Sequence, residues 1–286
     1  MGRFKMILAM AIFGSIGIFV SYISLPASII ASVRAIIGTA FLGIILGFYK
    51  DRSGFSSFKK NAVAIILSGA ALGLNWVFLF EAYKYTTIPV ATVCYYMAPV
   101  FVLILSPLIL RERLTVLNIA CTLGALAGAI LISGVLGTET VHKTGIMYAL
   151  LAALLYCAVI ILNKKINGIS SLDTAFYQMA IASVVTVAYT IFTVDMSSVI
   201  ITEKSAWMLL VLGIVHTGIA YALTFSAAKC MTAQGWGILS YIDPATAIVL
   251  AIVVLKQPYG PVEILGTAMI FGFALINGIY KSKRRG

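Results

Sequence analysis

The sequence predicts an all-α polytopic membrane protein of ten transmembrane helices, arranged as two inverted five-helix repeats. Three observations predict it: too few charges to clothe a water-facing surface, ten apolar runs of spanning length, and an internal match at a fixed offset. Hydrophobic residues make up 62% of the chain and charged residues 10%, with a mean hydropathy of +1.07. A soluble domain carries roughly 25% charged residues. The 286 residues leave room for about ten helices of ~20 residues, each able to cross a ~30 Å hydrocarbon core, and for little else.

The runs follow in order. Span 1, about 5–24, begins after Arg3 and Lys5; it is longer than the ~7–15 residue core of a signal peptide and lacks a small-x-small cleavage site, so it reads as a membrane helix. Span 2, about 28–49, holds Arg34 and stops at Lys50. Span 3, about 62–83, is bounded by Lys60 and Lys84, and span 4, about 88–110, by Thr87 and Arg111. Spans 5 and 6, about 115–134 and 144–163, flank a polar stretch from Val135 to Lys143. Span 7, about 173–194, precedes a second polar stretch, Asp195 to Lys204. Spans 8, 9 and 10, about 205–228, 233–255 and 261–280, are separated by short turns containing Lys229 and Pro258. None of the connections has room for an extramembrane domain.

The formal charge of +11 would fit nucleic acid only if it formed a basic face on a soluble domain, and here the basic residues sit between apolar runs. With ten crossings both termini share one side. Fifteen of the twenty Lys and Arg fall on that side, among them Arg3, Lys5, Lys164, Lys165 and Lys283, against Lys84, Lys143, Lys204 and Lys256 on the other. Basic residues resist translocation, so the termini are expected in the cytoplasm and the chain in the cell membrane. Cys94, Cys121, Cys157 and Cys230 lie in or beside apolar runs without CxxC spacing, which fits packing and implies neither a metal nor another cofactor.

A shift of 145 positions pairs Phe80 with Phe225, Lys84 with Lys229, Tyr96 with Tyr241, Pro99 with Pro244 and Thr122 with Thr267 without a gap. The boundary between copies falls near 137, giving repeats at 1–137 and 138–286. An odd number of spans per copy turns the second copy upside down, the plan of secondary transporters, in which two near-equivalent halves expose a central site alternately to either side.

These residues carry a resemblance. Tyr95-Tyr96-Met97-Ala98-Pro99-Val100, followed by Leu110-Arg111-Glu112-Arg113-Leu114, resembles the proline-containing fourth helix and terminal glutamate of an EamA-type unit in the drug/metabolite transporter superfamily. Tyr241-Ile242-Asp243-Pro244 through Leu255-Lys256-Gln257-Pro258 is similar to a second unit, with Gln257 in place of the glutamate and Asp243 in place of Ala98. The resemblance covers essentially the whole chain. It implies a cavity lined by helices 1, 3, 4, 6, 8 and 9, helices 5 and 10 at the periphery, and transport of amino acids, related amines or drugs.

Candidate residues follow from depth in the bilayer. Pro99 and Pro244 each free a backbone carbonyl one turn earlier, marking kinks at matching places and a hinge. Asp243, roughly 15 Å into span 9, is costly in hydrocarbon and is expected to face the interior, be paired or be protonated; it either binds a proton or cationic solute, or closes the kink at Pro244. His216 in span 8 is either a satisfied interhelical histidine or a proton relay with Asp243. Asn75, Trp76, Tyr95, Tyr96, Tyr221 and Tyr241 are cavity candidates suited to stacking and cation–π attraction, with interfacial anchoring the plainer reading for some of the aromatics and the favoured one for Trp236. Arg34 and Glu81 are gate candidates as an interhelical pair, and Lys84 reads as a snorkelling anchor. Gly43/Gly47, Gly69/Gly73 and Gly124/Gly128 have GxxxG spacing, read as packing within the bundle before dimerisation.

The expected partners are a small-molecule substrate, the lipid bilayer and an optional proton; monomer and homodimer both remain open. An enzyme would need clustered acids, histidines or cysteines, and a channel a filter-like segment or a ring of charge; neither pattern is present in the sequence.

Overall fold

The computed structural model describes residues 2–48, 54–86, 88–132, 143–254, 256 and 260–283. The expected boundary near 137 and the variant Gln257 lie outside them. Among the described residues the chain is all-helical, and helices cover every one of the expected apolar runs.

Span 1 is α1 (Gly2–Gly14) and α2 (Ile16–Val20), separated at Ser15, and span 2 is α3 (Ala27–Phe48). Span 3 is the long α4 (Gly54–Tyr85), and span 4 is split into α5 (Ile88–Tyr95) and α6 (Ala98–Leu110). Spans 5, 6 and 7 are α7 (Val116–Ile132), α8 (Lys143–Lys165) and α9 (Ser171–Thr193). Span 8 is α10 (Glu203–Val211), a π-helical stretch Leu212–Ile219, and α11 (Ala220–Ala228). Span 9 is α12 (Ala233–Ser240) and α13 (Ile242–Val253), and span 10 is α14 (Pro261–Lys283). Seven described stretches, from Gly2–Val20 to Glu203–Ala228, are long and apolar enough to cross a membrane, while Val116–Ile132 and Ile264–Asn277 are shorter apolar helices.

The outer surface is apolar. Ile44, Val63, Val184, Phe192 and Ile264 are all more than half exposed, the pattern of a chain whose solvent is lipid. Small residues set the helix spacing. A Cβ on Gly69 or Gly73 would press into α9 at Gln178 and Ala182, and one on Gly128 would sit 2.6 Å from the carbonyl oxygen of Gly266 in α14. Those glycines therefore serve contacts inside the bundle.

The packing pairs equivalent elements of the two copies. α3 lies along α9, α7 along α14, α6 crosses α12, and the contact of α4 with α8 is matched by that of α1 with α11. Backbone conformation repeats as well. Arg111 and Lys256, 145 positions apart, are the two non-glycine residues of the described chain with positive φ, at 54° and 52°. Arg111 occupies the left-handed cap that ends α6.

Candidate functional site

Of the spans expected to line a central site, 1, 4, 8 and 9 are broken or distorted, whereas 3 and 6 are continuous helices. Pro99 and Pro244 begin α6 and α13, so the helix stops ahead of each, at Tyr96–Met97 and at Tyr241. The Tyr96 carbonyl at the first break is bonded by the opposite half, where the Tyr241 hydroxyl donates to it at 2.8 Å. The proline spans cross at Gly237, whose missing side chain lets α12 approach Pro99; a Cβ there would meet Pro99 at 3.3 Å. In the π-helical stretch of span 8 the Thr217 side-chain hydroxyl donates to the carbonyl five residues back, Leu212, at 3.0 Å.

Around these breaks the aromatic candidates converge. Trp76 and Tyr221 meet edge to face with ring centroids 6.0 Å apart, and Tyr221 packs on Phe13 at 4.9 Å. Tyr95 lies 5.9 Å from Tyr156, and Tyr96 lies 6.3 Å from Tyr241. Asn75, fully buried, donates to the Ala152 carbonyl at 2.6 Å and faces the Tyr95 hydroxyl at 3.4 Å. The cluster thus draws on spans 1, 3, 4, 6, 8 and 9.

Two opposite charges border it. Asp243 lies within electrostatic reach of Tyr83, Tyr95, Tyr96, Tyr156 and Tyr221. Its carboxylate makes no hydrogen bond or ion pair among the described residues, so it does not close the kink at Pro244. Arg34 spreads its guanidinium over the Trp76 ring, 4.4 Å from the centroid, and is within electrostatic reach of Tyr95 and Tyr221. Its buried Nε has no hydrogen-bond partner. The two charged groups share tyrosine neighbours and do not pair with each other.

Two expectations are corrected and one alternative is decided. Arg34 and Glu81 do not form a gate pair: Glu81 binds Lys84 of its own helix at 2.7 Å and accepts from the Tyr189 hydroxyl, because one helical turn brings Lys84 closer than any neighbouring helix brings Arg34. Of the two readings of His216, the interhelical hydrogen bond is the one present and the relay with Asp243 is not: its Nε2 shares a 2.8 Å hydrogen bond with the Ser15 hydroxyl at the break in span 1, and its ring packs on Phe19. Trp236 is no interfacial anchor, being 1% exposed and packed against Phe225. The residues that sequence reasoning missed are Ser15, Tyr83, Tyr156 and the inward placement of Arg34.

One end of the assembly is clasped. Glu112, just beyond α6, accepts from the backbone N–H groups of Ala233 at 2.6 Å and Gln234 at 3.2 Å, and Thr232 accepts from Gly235 at 3.1 Å. These bonds satisfy the first orphan donors of α12 and place a negative charge at its positive end. Lys164 donates to the carbonyls of Ala228 and Met231 at 2.8 and 2.5 Å, holding the turn between α11 and α12.

The model of the EamA-like transporter family matches residues 1–134 and again 143–279. The chain belongs to the EamA-like transporter family. It is 34% identical over 281 residues to the uncharacterized transporter YxxF of Bacillus subtilis (strain 168), a match covering 95% of this chain and 88% of that one. It is 23% identical over 228 residues to the chloramphenicol-sensitive protein RarD of Pseudomonas aeruginosa, covering 77% and 73% of the two chains. A solved crystal structure, 20% identical, superposes with a TM-score of 0.86 over 98% of both chains and shares the fold. Both matches to the EamA-like family model fall on the two sequence repeats, and Glu112, Pro99 and Tyr96 lie in the first, with Pro244 and Tyr241 in the second.

Proposed function

We propose that this EamA-type transporter is a secondary-active carrier built from two inverted five-span repeats, with both termini in the cytoplasm, which moves small metabolites by alternating access around the aromatic cluster. Support for the inverted plan comes from the matched helix pairs, the matched left-handed residues at Arg111 and Lys256, and the matched breaks before Pro99 and Pro244. The breaks give each half a place to bend, and the Tyr241 to Tyr96 bond ties the two bends together.

The single observation that carries the substrate reading is the pair of opposite charges, Arg34 and Asp243, that share tyrosine neighbours and have no ion-pair partner among the described residues. A buried charge is tolerated when something neutralises it. A solute with an ammonium group for Asp243 and a carboxylate for Arg34, its side chain against Trp76, Tyr95 and Tyr221, does so at both ends. Amino acids and close relatives have this form. Asp243 is also the group on which proton coupling would act, by exchanging a proton for the ammonium.

The test is a thermal-shift screen of the purified protein against amino acids, quaternary amines lacking a carboxylate, and carboxylates lacking an amine, since a ligand stabilises the state it binds. Amino acids should give the largest shift. Asp243→Asn should lose the amine-dependent part and Arg34→Gln the carboxylate-dependent part, and flux into liposomes should fall with each. Equal shifts in wild type and both variants would sink the reading of the two charges.

A further inference from the structure

A cavity of about 460 Å³ lies apart from the aromatic cluster, between α1, α3, α9 and α11. Its polar end holds Lys5, Ser170, Ser171 and Ser226, and its walls include Phe41, Ile219 and Leu223. From these features we infer a binding site for an anionic phospholipid, with the phosphate at Lys5 and an acyl chain in the groove. The placement in the cytoplasmic leaflet rests on the orientation proposed above.

Charge and length carry the inference. Lys5 donates to the neutral Ser226 hydroxyl at 2.8 Å and has no carboxylate partner among the described residues, so its charge is unneutralised and two further N–H donors remain. Among the described residues no acidic side chain lines the cavity. The acid beside it, Asp173, is buried, accepts from the Ser170 hydroxyl at 2.7 Å and lies within electrostatic reach of Lys229. From Ser226 back to Gly218, both of which line the cavity, α11 and the end of the π-helical stretch rise ~12 Å, close to the depth of one leaflet of a ~30 Å core. A free phosphate would use the polar end and leave that apolar length empty. Ile219, 38% exposed, borders the cavity toward the lipid, which gives a chain lateral entry. Basic pockets between helices on the cytoplasmic side bind anionic head groups by this combination.

The experiment titrates the full-length protein, delipidated in a neutral detergent, with phosphatidylglycerol, phosphatidylcholine of the same acyl chains, and glycerol phosphate, and reads the melting temperature. Phosphatidylglycerol should bind most tightly, and Lys5→Gln should weaken it about fivefold, toward phosphatidylcholine, as expected for one lysine at a head group. Ala222→Phe, which fills the groove, should abolish the effect of both lipids; if that variant does not fold, Lys5→Gln alone decides. Equal affinity for the two lipids, an unchanged preference in Lys5→Gln, or a full shift with glycerol phosphate would each overturn the site. Because the readout is lipid stabilisation and not flux, its failure leaves the carrier reading intact.

Discussion

The Tyr241 hydroxyl donates a 2.8 Å hydrogen bond to the backbone carbonyl of Tyr96, so one copy of the repeat satisfies an acceptor at the helix break of the other. The two residues occupy the same position of the repeat, and their rings meet edge to face. Tyr241→Phe keeps the ring and strands the carbonyl, which should cost about 1–3 kcal/mol of stability. Tyr96→Phe leaves that carbonyl bond in place and should cost less. Denaturation of the two variants side by side in detergent tests the difference; equal losses would remove the bond's significance.

Glu112 is the acceptor for the first turn of α12. Removing it in Glu112→Ala should cost roughly 0.5–2 kcal/mol, as for other N-cap losses, and should speed hydrogen exchange at Ala233 and Gln234 first. Glu112→Gln keeps one acceptor oxygen without the charge and should fall between the two. Exchange that is unchanged at those amides would contradict the cap.

Gly14 touches the helix that carries Asp243. A Cβ at Gly14 would lie 2.5 Å from the Asp243 carbonyl oxygen and 2.7 Å from Thr246, whereas one at Gly17 would meet nothing within 4 Å. Gly14→Val should therefore destabilise the protein by about 1–3 kcal/mol through overpacking. Gly17→Ala should be neutral or raise stability by roughly 0.5–1 kcal/mol, because alanine loses less backbone freedom in a helix. Flux assays should show the first variant impaired and the second unaffected.

Glu81 and Arg34 should behave oppositely. The Lys84 side chain in the Glu81 pair is 56% exposed, so Glu81→Gln should change stability by less than ~1 kcal/mol and leave transport intact. Arg34→Gln should leave the fold standing and remove retention of carboxylate-bearing solutes. A transport defect of equal size in both would restore the gate pair.

The positions of the helices were legible in the sequence because hydrocarbon demands long apolar runs closed by charge, and the kinks at Pro99 and Pro244 because proline removes a donor. The break at Ser15 and the π-helical stretch around His216 were not, since neither contains a proline. Their geometry comes from packing: Gly38 seats α3 against Thr217, and Ser15 reaches His216 from another helix. Arg34 was misassigned for a related reason. Depth along a helix follows from residue number, but the direction in which a side chain points depends on the rotation of α3 about its axis, and that rotation is set by its packing on α9 and on the π-helical stretch, far away in the sequence. Glu81 shows the reverse error, a local i,i+3 partner passed over for a remote one.

Arg34 belongs to the first copy of the repeat and Asp243 to the second, and neither has a charged counterpart at the matching position, where Met179 and Ala98 stand. On the carrier reading proposed above, the solute-free protein holds Arg34 against only the Trp76 ring and Asp243 without an ion pair among the described residues, so the empty form is the electrostatically less favourable one and its return across the membrane the slow leg of the cycle. Loading removes that penalty. Exchange of one solute for another should then outrun net movement, and labelled solute should equilibrate across a liposome membrane faster when unlabelled solute waits on the far side.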